Sequence, residues 1–230
     1  MLLMPPEGLP RPEERWGGEV ADQVDGSMPV LERTPMFEGR VWSVVRDRVK
    51  FEDHESVRDV LIHPGAVAII AVDQDDRVLL IRQYRHPVAM YLFEPPAGLL
   101  DIAGEPPLET AKRELAEEAG VRADTWNVLV DLFNSPGGST EAIRVYLARD
   151  LSALPGGRPL TGEAEEAHLP QAWVPLTEAV ELVLTGAIGS PSGVAGILAL
   201  AAVRHGHSGG LRPADSPWQP RSWLEANQRV

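Results

Sequence analysis

The chain of 230 residues has no cysteine, few aromatic residues and no long apolar run. Without cysteine it has no disulfide framework, no thiolate metal site and no thiol nucleophile. No apolar run approaches the ~20 residues that cross a bilayer, and residues 1–4 are too short for the apolar region of a signal peptide. We therefore expect a soluble, cytoplasmic protein without a membrane partner.

Basic residues are also scarce, because 21 Lys and Arg stand against 34 Asp and Glu, for a net charge of −13. This charge argues against a nucleic-acid partner, which would be repelled. An anionic substrate would have to be received by metal ions and a few arginines. The length suits one ordinary domain with extensions.

Composition divides the chain into four regions. Residues 1–30 are rich in Pro, Gly and acid and predict a flexible arm. Residues 31–60 alternate apolar and polar side chains and predict two or three antiparallel strands in a small sheet. Residues 61–204 predict the main domain, and residues 205–230 a docked or loose tail rich in Gly, Pro and Ser.

Strands and helices alternate along the main domain. Residues 66–72 and 78–84 predict a hairpin, and two later strands flank a loop at 134–141. Residues 152–169 are expected to be exposed. Thr177 is expected to cap one helix, and residues 190–204 predict a second, apolar helix. This order predicts an α+β fold, an α/β/α sandwich with a mixed sheet between helices, plus the small N-terminal antiparallel sheet.

A helix is predicted at 108–119, since Ala, Leu, Glu and Lys favour it, prolines precede it and Gly120 suits its end. On this helix Glu114, Glu117 and Glu118 project from one face. Like charges at this spacing repel by a few tenths of a kcal/mol per pair, and the helix dipole disfavours them at its C-terminal end. A solvated acidic face is the alternative, but such a carboxylate cluster is what hard divalent cations need.

The longer string from Gly98 to Val121 resembles the Nudix box, G-x5-E-x7-R-E-U-x-E-E-x-G-U, where U is aliphatic. Glu105 keeps the motif's spacing to Arg113, while six residues instead of five follow Gly98, with Gly104 where the pattern has its first Glu. We interpret this as a one-residue insertion in the loop before the helix.

The resemblance implies a Nudix fold and Mg²⁺-dependent hydrolysis of a nucleoside diphosphate derivative, with Mn²⁺ as an alternative ion. It assigns Glu114 and Glu118 to the metal with Glu117 assisting, and adds the backbone carbonyl of Ala97. Arg113 would pair with Glu105 and Glu117 to orient the helix. In the ADP-ribose pyrophosphatase branch a loop beyond the box supplies the base, and Glu141 is the only acid in residues 135–141; the alternative is a charge at a hairpin end.

Other residues resemble marks of ADP-ribose pyrophosphatases, above all the actinobacterial ones. Pro136 follows Gly120 by sixteen residues, although prolines are also common in turns. Arg85 would clamp phosphate, for which a guanidinium fork is suited. Glu94 would hold adenine or ribose hydroxyls, and Arg58 would reach the ligand from a partner subunit.

Each of Arg58, Arg85 and Glu94 could instead be an ordinary surface charge. Trp42 is either a core aromatic residue or part of a wall that stacks a base. His63 and His86 stand beside prolines and are expected to be structural. The branch implies a homodimer whose N-terminal strands exchange to complete the partner's site.

Three other functions stay open. The enzyme could hydrolyse another nucleoside diphosphate sugar or an oxidised nucleotide. A non-hydrolytic ADP-ribose-binding regulator would be expected to lose box carboxylates and to carry a basic DNA-binding element, whereas all three helical glutamates are present. A scaffold would leave the carboxylate cluster unexplained.

Overall fold

The computed structural model describes residues 20–159, 169–206 and 210–227. Most of the arm predicted at 1–30 and parts of the stretch at 152–169 and of the tail at 205–230 lie outside these ranges. The strands are β1 (Val30–Glu38), β2 (Ser43–Lys50), β3 (Glu55–Ile62), β4 (Ala66–Ala71), β5 (Arg77–Arg85), β6 (Met90–Glu94), β7 (Ala97–Leu99), β8 (Val121–Phe133), β9 (Ala142–Ala153), β10 (Gln171–Pro175) and β11 (Arg212–Pro213). The helices are α1 (Pro107–Ala119), α2 (Leu176–Leu184), α3 (Pro191–Arg204) and α4 (Gln219–Ala226).

The N-terminal sheet has three antiparallel strands in the order β1-β2-β3. Charged pairs link neighbouring strands, and the bidentate pair of Arg33 with Asp47 is the most buried of them, at 2.6 and 2.8 Å. Several large apolar side chains of this sheet and its turns stay exposed, namely Leu31, Met36, Phe37, Val41, Trp42 and Val57.

The main domain is built on a mixed sheet of order β11-β8-β9-β4-β7, in which only β4 and β9 are parallel. A second sheet has the order β10-β5-β6. The turn predicted between β4 and β5 is present, since the Asp73 N–H donates to the Arg77 carbonyl at 3.1 Å and the Asp76 N–H donates to the Asp73 carbonyl at 3.2 Å. The extended ladder of a hairpin is wrong, because strands β9 and β7 occupy both edges of β4. An antiparallel bridge between Val72 and Val78 joins the chain on the two sides of the turn.

The core lies on both faces of β4, whose side chains alternate between two layers. Ala68 and Ile70 pack toward the side of α2 and α3, while Val67 and Ile69 pack toward the side of α1. Burying each such branched side chain contributes about 1.5–3 kcal/mol. The sheet is thus sandwiched between helices, which confirms the predicted α+β class.

Helix boundaries follow local signals with one exception. Ser190 caps α3 by accepting a hydrogen bond from the Gly193 N–H at 3.3 Å. Thr177 does not cap α2, because that helix starts at Leu176 directly after β10, and Pro175 takes the cap position without a side-chain bond. Tertiary pairing of β10 fixed this start, so the predicted cap is wrong.

The described part of the tail is docked. Arg144, 3% exposed, lies under the Trp218 ring at 4.7 Å and donates to the carbonyl oxygens of Ser216 and Pro217 at 2.7 and 3.3 Å. Trp218 and Leu224 are buried against the start of β9. Among the residues that the structure describes, no helix is long and apolar enough to cross a membrane.

Gly196 marks the closest approach of α3 to β4. A Cβ there would lie 2.6 Å from Ile70 Cγ1 and 3.2 Å from Val145 Cγ1, inside the core. Gly196→Ala should therefore lower the unfolding free energy by about 2 kcal/mol, since overpacking at this distance belongs to the upper end of the usual range, ~3 kcal/mol, and better helix propensity returns ~1 kcal/mol. Urea denaturation measures the change. Gly189→Ala is the control, because its Cβ would meet nothing within 4 Å, and equal stability of the two variants would contradict the prediction.

Candidate active site on the acidic helix

Arg113 gathers the acidic side chains at the start and on the face of α1. It donates to Glu105 at 3.1 and 3.3 Å, to Glu114 at 2.7 Å and to Glu117 at 3.2 Å. The bond to Glu105 is the main cause that raises the pKa of Arg113 and that lowers the pKa of Glu105. One guanidinium therefore offsets the repulsion among three carboxylates.

The extra residue before the helix is absorbed in a turn. The Glu105 N–H donates to the Ile102 carbonyl at 3.1 Å, and Gly104 has φ +80°, which glycine adopts without strain. Glu105 still receives both Arg113 and the Thr110 hydroxyl, the latter at 2.8 Å. The insertion leaves the contact between Glu105 and the helix in place.

Strand β7 runs directly against the acidic face. Glu118 is 4% exposed and accepts a hydrogen bond from the Ala97 N–H at 2.9 Å. At Gly98 a Cβ would lie 2.1 Å from Glu114 Oε1. Only a residue without a side chain fits beside Glu114 in this position, which explains the glycine at the first position of the motif.

The unfavourable dipole at the end of α1 is offset by distant residues. Arg158 donates to the Glu117 carbonyl at 2.8 Å, and the Gln171 amide donates to the carbonyls of Glu118 and Ala119 at 3.3 and 3.1 Å. Gly120 ends the helix with φ 68°. Arg158 belongs to the stretch expected to be exposed, and that expectation is wrong for it because it caps these carbonyls.

The donor set of this face fits a hard divalent cation by chemistry. Its carboxylates are oxygen donors on one helical face, and Gly98 leaves the room that the Glu114 side chain occupies. Among the described residues, no three His, Cys, Asp or Glu side chains form a group that could already hold a metal ion. Arg113 bonds to Glu114 Oε1 and to Glu117 Oε2, and each of these carboxylates carries a second oxygen that suits a cation.

Glu141 directly precedes β9, the strand that pairs with β4. Arg144 pairs with Val67, which pairs with Gly98 on the other side. Glu141 comes three residues earlier than Arg144, which is about 10 Å along the strand. The Asn134 amide donates to its Oε2 at 2.7 Å, and His63 Nε2 lies 4.0 Å from its Oε1. Pro136 is exposed in the same loop. It lies in a turn that is closed by a hydrogen bond from the Gly138 N–H to the Ser135 carbonyl at 3.0 Å.

Arg85 and Glu94 form one ion pair on adjacent strands, with Arg85 Nε 2.7 Å from Glu94 Oε2. Glu94 is buried and stands three residues before Ala97, so the ion pair lies next in the chain to the strand that contacts the acidic face. Glu94 is therefore not an ordinary surface charge.

Arg58 and Trp42 lie apart from these groups, on the N-terminal sheet and its turns. Trp42 is 42% exposed and tilted against Phe37 at 5.9 Å, so the core-aromatic interpretation is wrong. Arg58 lies over the Phe51 ring at 5.6 Å. Each lines its own open cleft, of about 440 Å³ for Trp42 and 540 Å³ for Arg58.

The sequence did not predict that two residues, His63 and Asn134, lie beside Glu141. The parallel pairing of β4 with β9 brings His63 to Glu141, because it aligns the residues that precede the two strands. Asn134 follows β8 and meets Glu141 across the hairpin of β8 with β9, where the Asn134 N–H donates to the Glu141 carbonyl at 3.0 Å. Composition and periodicity do not reveal the pairing of β4 with β9.

Comparisons with known proteins agree with this geometry. The model of the NUDIX domain family matches residues 62–192. The chain is 45% identical to the ADP-ribose pyrophosphatase of Mycobacterium tuberculosis over 193 residues, which cover 84% of this chain and 91% of that protein. It is 34% identical to the ADP-ribose pyrophosphatase of Bacillus subtilis over 154 residues, covering 66% of this chain and 81% of that protein.

Among solved structures, a crystal structure of an ADP compounds hydrolase superposes with a TM-score of 0.65. The alignment covers 91% of this chain and all of that chain at 23% identity, so it shows the shared fold. The family model spans more than half of the chain, and it includes the whole of helix α1 with Arg113. The chain belongs to the Nudix family.

Proposed function

We propose that this protein is a divalent-metal-dependent pyrophosphohydrolase that cleaves ADP-ribose to AMP and ribose 5-phosphate. The observation that carries this is the acidic face of α1 packed against β7, where Glu118 is buried and Glu114 lies against Gly98. The substrate rests on the two relatives named ADP-ribose pyrophosphatase, one of which aligns along most of its length.

Glu114 and Glu118, assisted by Glu117 and the Ala97 carbonyl, would hold the ion, with Mg²⁺ preferred and Mn²⁺ as an alternative. A cation held there would neutralise pyrophosphate charge and supply an activated water. Glu118 keeps its place through the Ala97 N–H. Arg113, bonded to Glu105 as well as to Glu114 and Glu117, would set the positions of these carboxylates.

Glu141 would act as the general base, or orient the attacking water. It stands at the end of a loop with two consecutive glycines, and a Cβ at either Gly137 or Gly138 would meet nothing within 4 Å. The absence of side chains at these two positions leaves room for a substrate to approach Glu141. Pro136 in the same loop supports the choice of ADP-ribose by resemblance only.

Arg85 would hold the pyrophosphate. Glu94 would orient the Arg85 side chain or bind adenine or ribose hydroxyls. The described bond to Glu94 uses Arg85 Nε, and a guanidinium can present its terminal nitrogens to phosphate oxygens at the same time. The buried carboxylate would thus fix the direction of the fork.

The N-terminal sheet, residues 31–60, would dimerise with a second copy and exchange strands, so that Arg58 and Trp42 complete the partner's site. Its exposed apolar side chains support this, since patches of this kind mark interaction surfaces. The main domain would then span residues 61–204. The arm at 1–30 and the tail at 205–230 would be extensions, and the protein would work in the cytoplasm.

A substrate panel tests the proposal. ADP-ribose, ADP-glucose, GDP-mannose, a dinucleotide and an oxidised nucleoside triphosphate are compared with Mg²⁺, and product formation is followed by anion-exchange chromatography. We expect ADP-ribose to give the highest kcat/KM, and chelator to abolish turnover. A different best substrate would establish another hydrolase of this family, whereas ADP-ribose binding without cleavage would establish a regulator.

A further inference from the structure

The loop that carries Glu141 is tied to the segment between β3 and β4. The Leu61 N–H donates to the Gly138 carbonyl at 2.9 Å, and the Thr140 N–H donates to the Leu61 carbonyl at 3.0 Å. The His63 N–H donates to the Thr140 hydroxyl at 2.9 Å. These bonds bring the His63 side chain against Glu141.

The His63 ring has one defined tautomer. Its Nδ1 accepts a hydrogen bond from the Gly65 N–H at 3.0 Å, so the proton of the neutral ring is on Nε2. That Nε2 lies 4.0 Å from Glu141 Oε1, and the side chains of His63 and Glu141 are only 12% and 22% exposed. The ring therefore presents a donor to the carboxylate.

The surroundings keep this ring neutral. Burial lowers the pKa of His63, nearby Arg221 lowers it further, and Glu141 acts in the opposite direction. Arg221 reaches this place from α4 and donates to the Pro64 carbonyl. Gly65 has φ +86°, and a Cβ there would lie 2.8 Å from Arg221 Nη1, so a residue with a side chain does not fit at this position.

We propose that His63 is the positioning residue of Glu141, with its Nε2–H directed to Oε1 while the Asn134 amide holds Oε2. The inference rests on the proposed role of Glu141. Once both oxygens are held, the carboxylate has one orientation, and its remaining lone pairs offer a single direction to the attacking water. The contact at 4.0 Å must close by about 1 Å to become a hydrogen bond, and hydrogen bonds of this kind often tighten only with substrate bound.

The alternative is that His63 only holds the turn at Gly65, and two substitutions separate the roles. His63→Gln keeps an N–H donor at the distance of Nε2 but loses the acceptor for Gly65. His63→Asn keeps an acceptor at the distance of Nδ1 but loses the donor to Glu141. His205→Asn is the control, because His205 is an exposed residue at the end of α3 and belongs to no proposed site.

The measurement is kcat and KM for ADP-ribose at saturating Mg²⁺. We expect His63→Asn to lower kcat by about 10- to 100-fold with KM little changed, as a misplaced reacting group does. His63→Gln should keep most of the wild-type kcat, and His205→Asn should match the wild type. If His63→Gln is the impaired variant, or if both are equally impaired, the ring serves the turn and the inference is wrong.

A double variant shows whether His63 acts through Glu141. Glu141→Gln/His63→Asn should be no slower than Glu141→Gln alone. Additive losses would contradict the inference. A normal kcat for Glu141→Gln would remove the proposed base and the inference with it, whereas an impaired Glu141→Gln beside a normal His63→Asn would remove the inference alone.

Nitrogen NMR of the wild-type imidazole gives a test that does not depend on the folding of any variant. We expect His63 to be neutral at pH 7 with its proton on Nε2. A proton on Nδ1 would overturn the inference.

Discussion

Glu118→Gln is expected to lower kcat for ADP-ribose by about 10²- to 10³-fold, the usual cost of removing one group that stabilises transition-state charge. The amide keeps an oxygen for the Ala97 N–H, which Glu118 now binds at 2.9 Å, so the packing of α1 on β7 should survive. What is lost is the negative charge that would hold the cation. The Mg²⁺ concentration for half-maximal rate should rise as well.

Steady-state kinetics over a Mg²⁺ titration measure both effects, and circular dichroism checks the fold. Glu109→Gln is the matched control, because Glu109 lies exposed on the same helix and pairs with Lys112 at 2.8 Å. Loss of that pair costs only ~0.3–0.5 kcal/mol of stability, and Glu109 lies outside the proposed site. The kcat of Glu109→Gln should therefore equal the wild-type value. A normal kcat in Glu118→Gln would exclude Glu118 as a metal ligand.

Gly98→Ala is expected to abolish most activity without unfolding the protein. The new Cβ would lie 2.1, 2.2 and 2.3 Å from Oε1, Cδ and Cγ of Glu114, so that side chain must leave its place. The backbone need not move, because rotation of Glu114 away from Arg113 relieves the clash. We expect kcat to fall by on the order of 10²-fold, since such displacements misplace a group in the site.

The readouts are kcat, the Mg²⁺ requirement and the unfolding free energy, each compared with Gly189→Ala. Activity should fall far more than stability. A variant with normal kcat but reduced stability would show that Gly98 serves only the packing of β7, and that the position of Glu114 does not matter to the reaction.

The acidic helix could be predicted almost in full from the sequence. Its observed span, Pro107–Ala119 with Gly120 at φ 68°, follows from residues adjacent in the chain. The face shared by Glu114, Glu117 and Glu118 follows from helical periodicity alone. The N-terminal sheet was predictable for the same reason, because alternation and turns are local signals.

The environment of that helix was not predictable. Arg113 bonds to Glu114 as well as to the two predicted acids, and Arg158 and Gln171 cap carbonyls of a helix more than 40 residues away from either. These contacts depend on how the chain folds back, and no local pattern records them.

The Nudix box, the α+β class and the shared face of the helical glutamates follow from the order of residues along the chain, because they depend on spacing and on propensities of neighbouring residues. The pairing of β4 with β9 and β7, the docking of the tail on Arg144 and the approach of His63 to Glu141 arise only in the folded chain. These features join residues far apart in the chain, and their free energy comes from burial and pairing that exist only after the sheet has assembled.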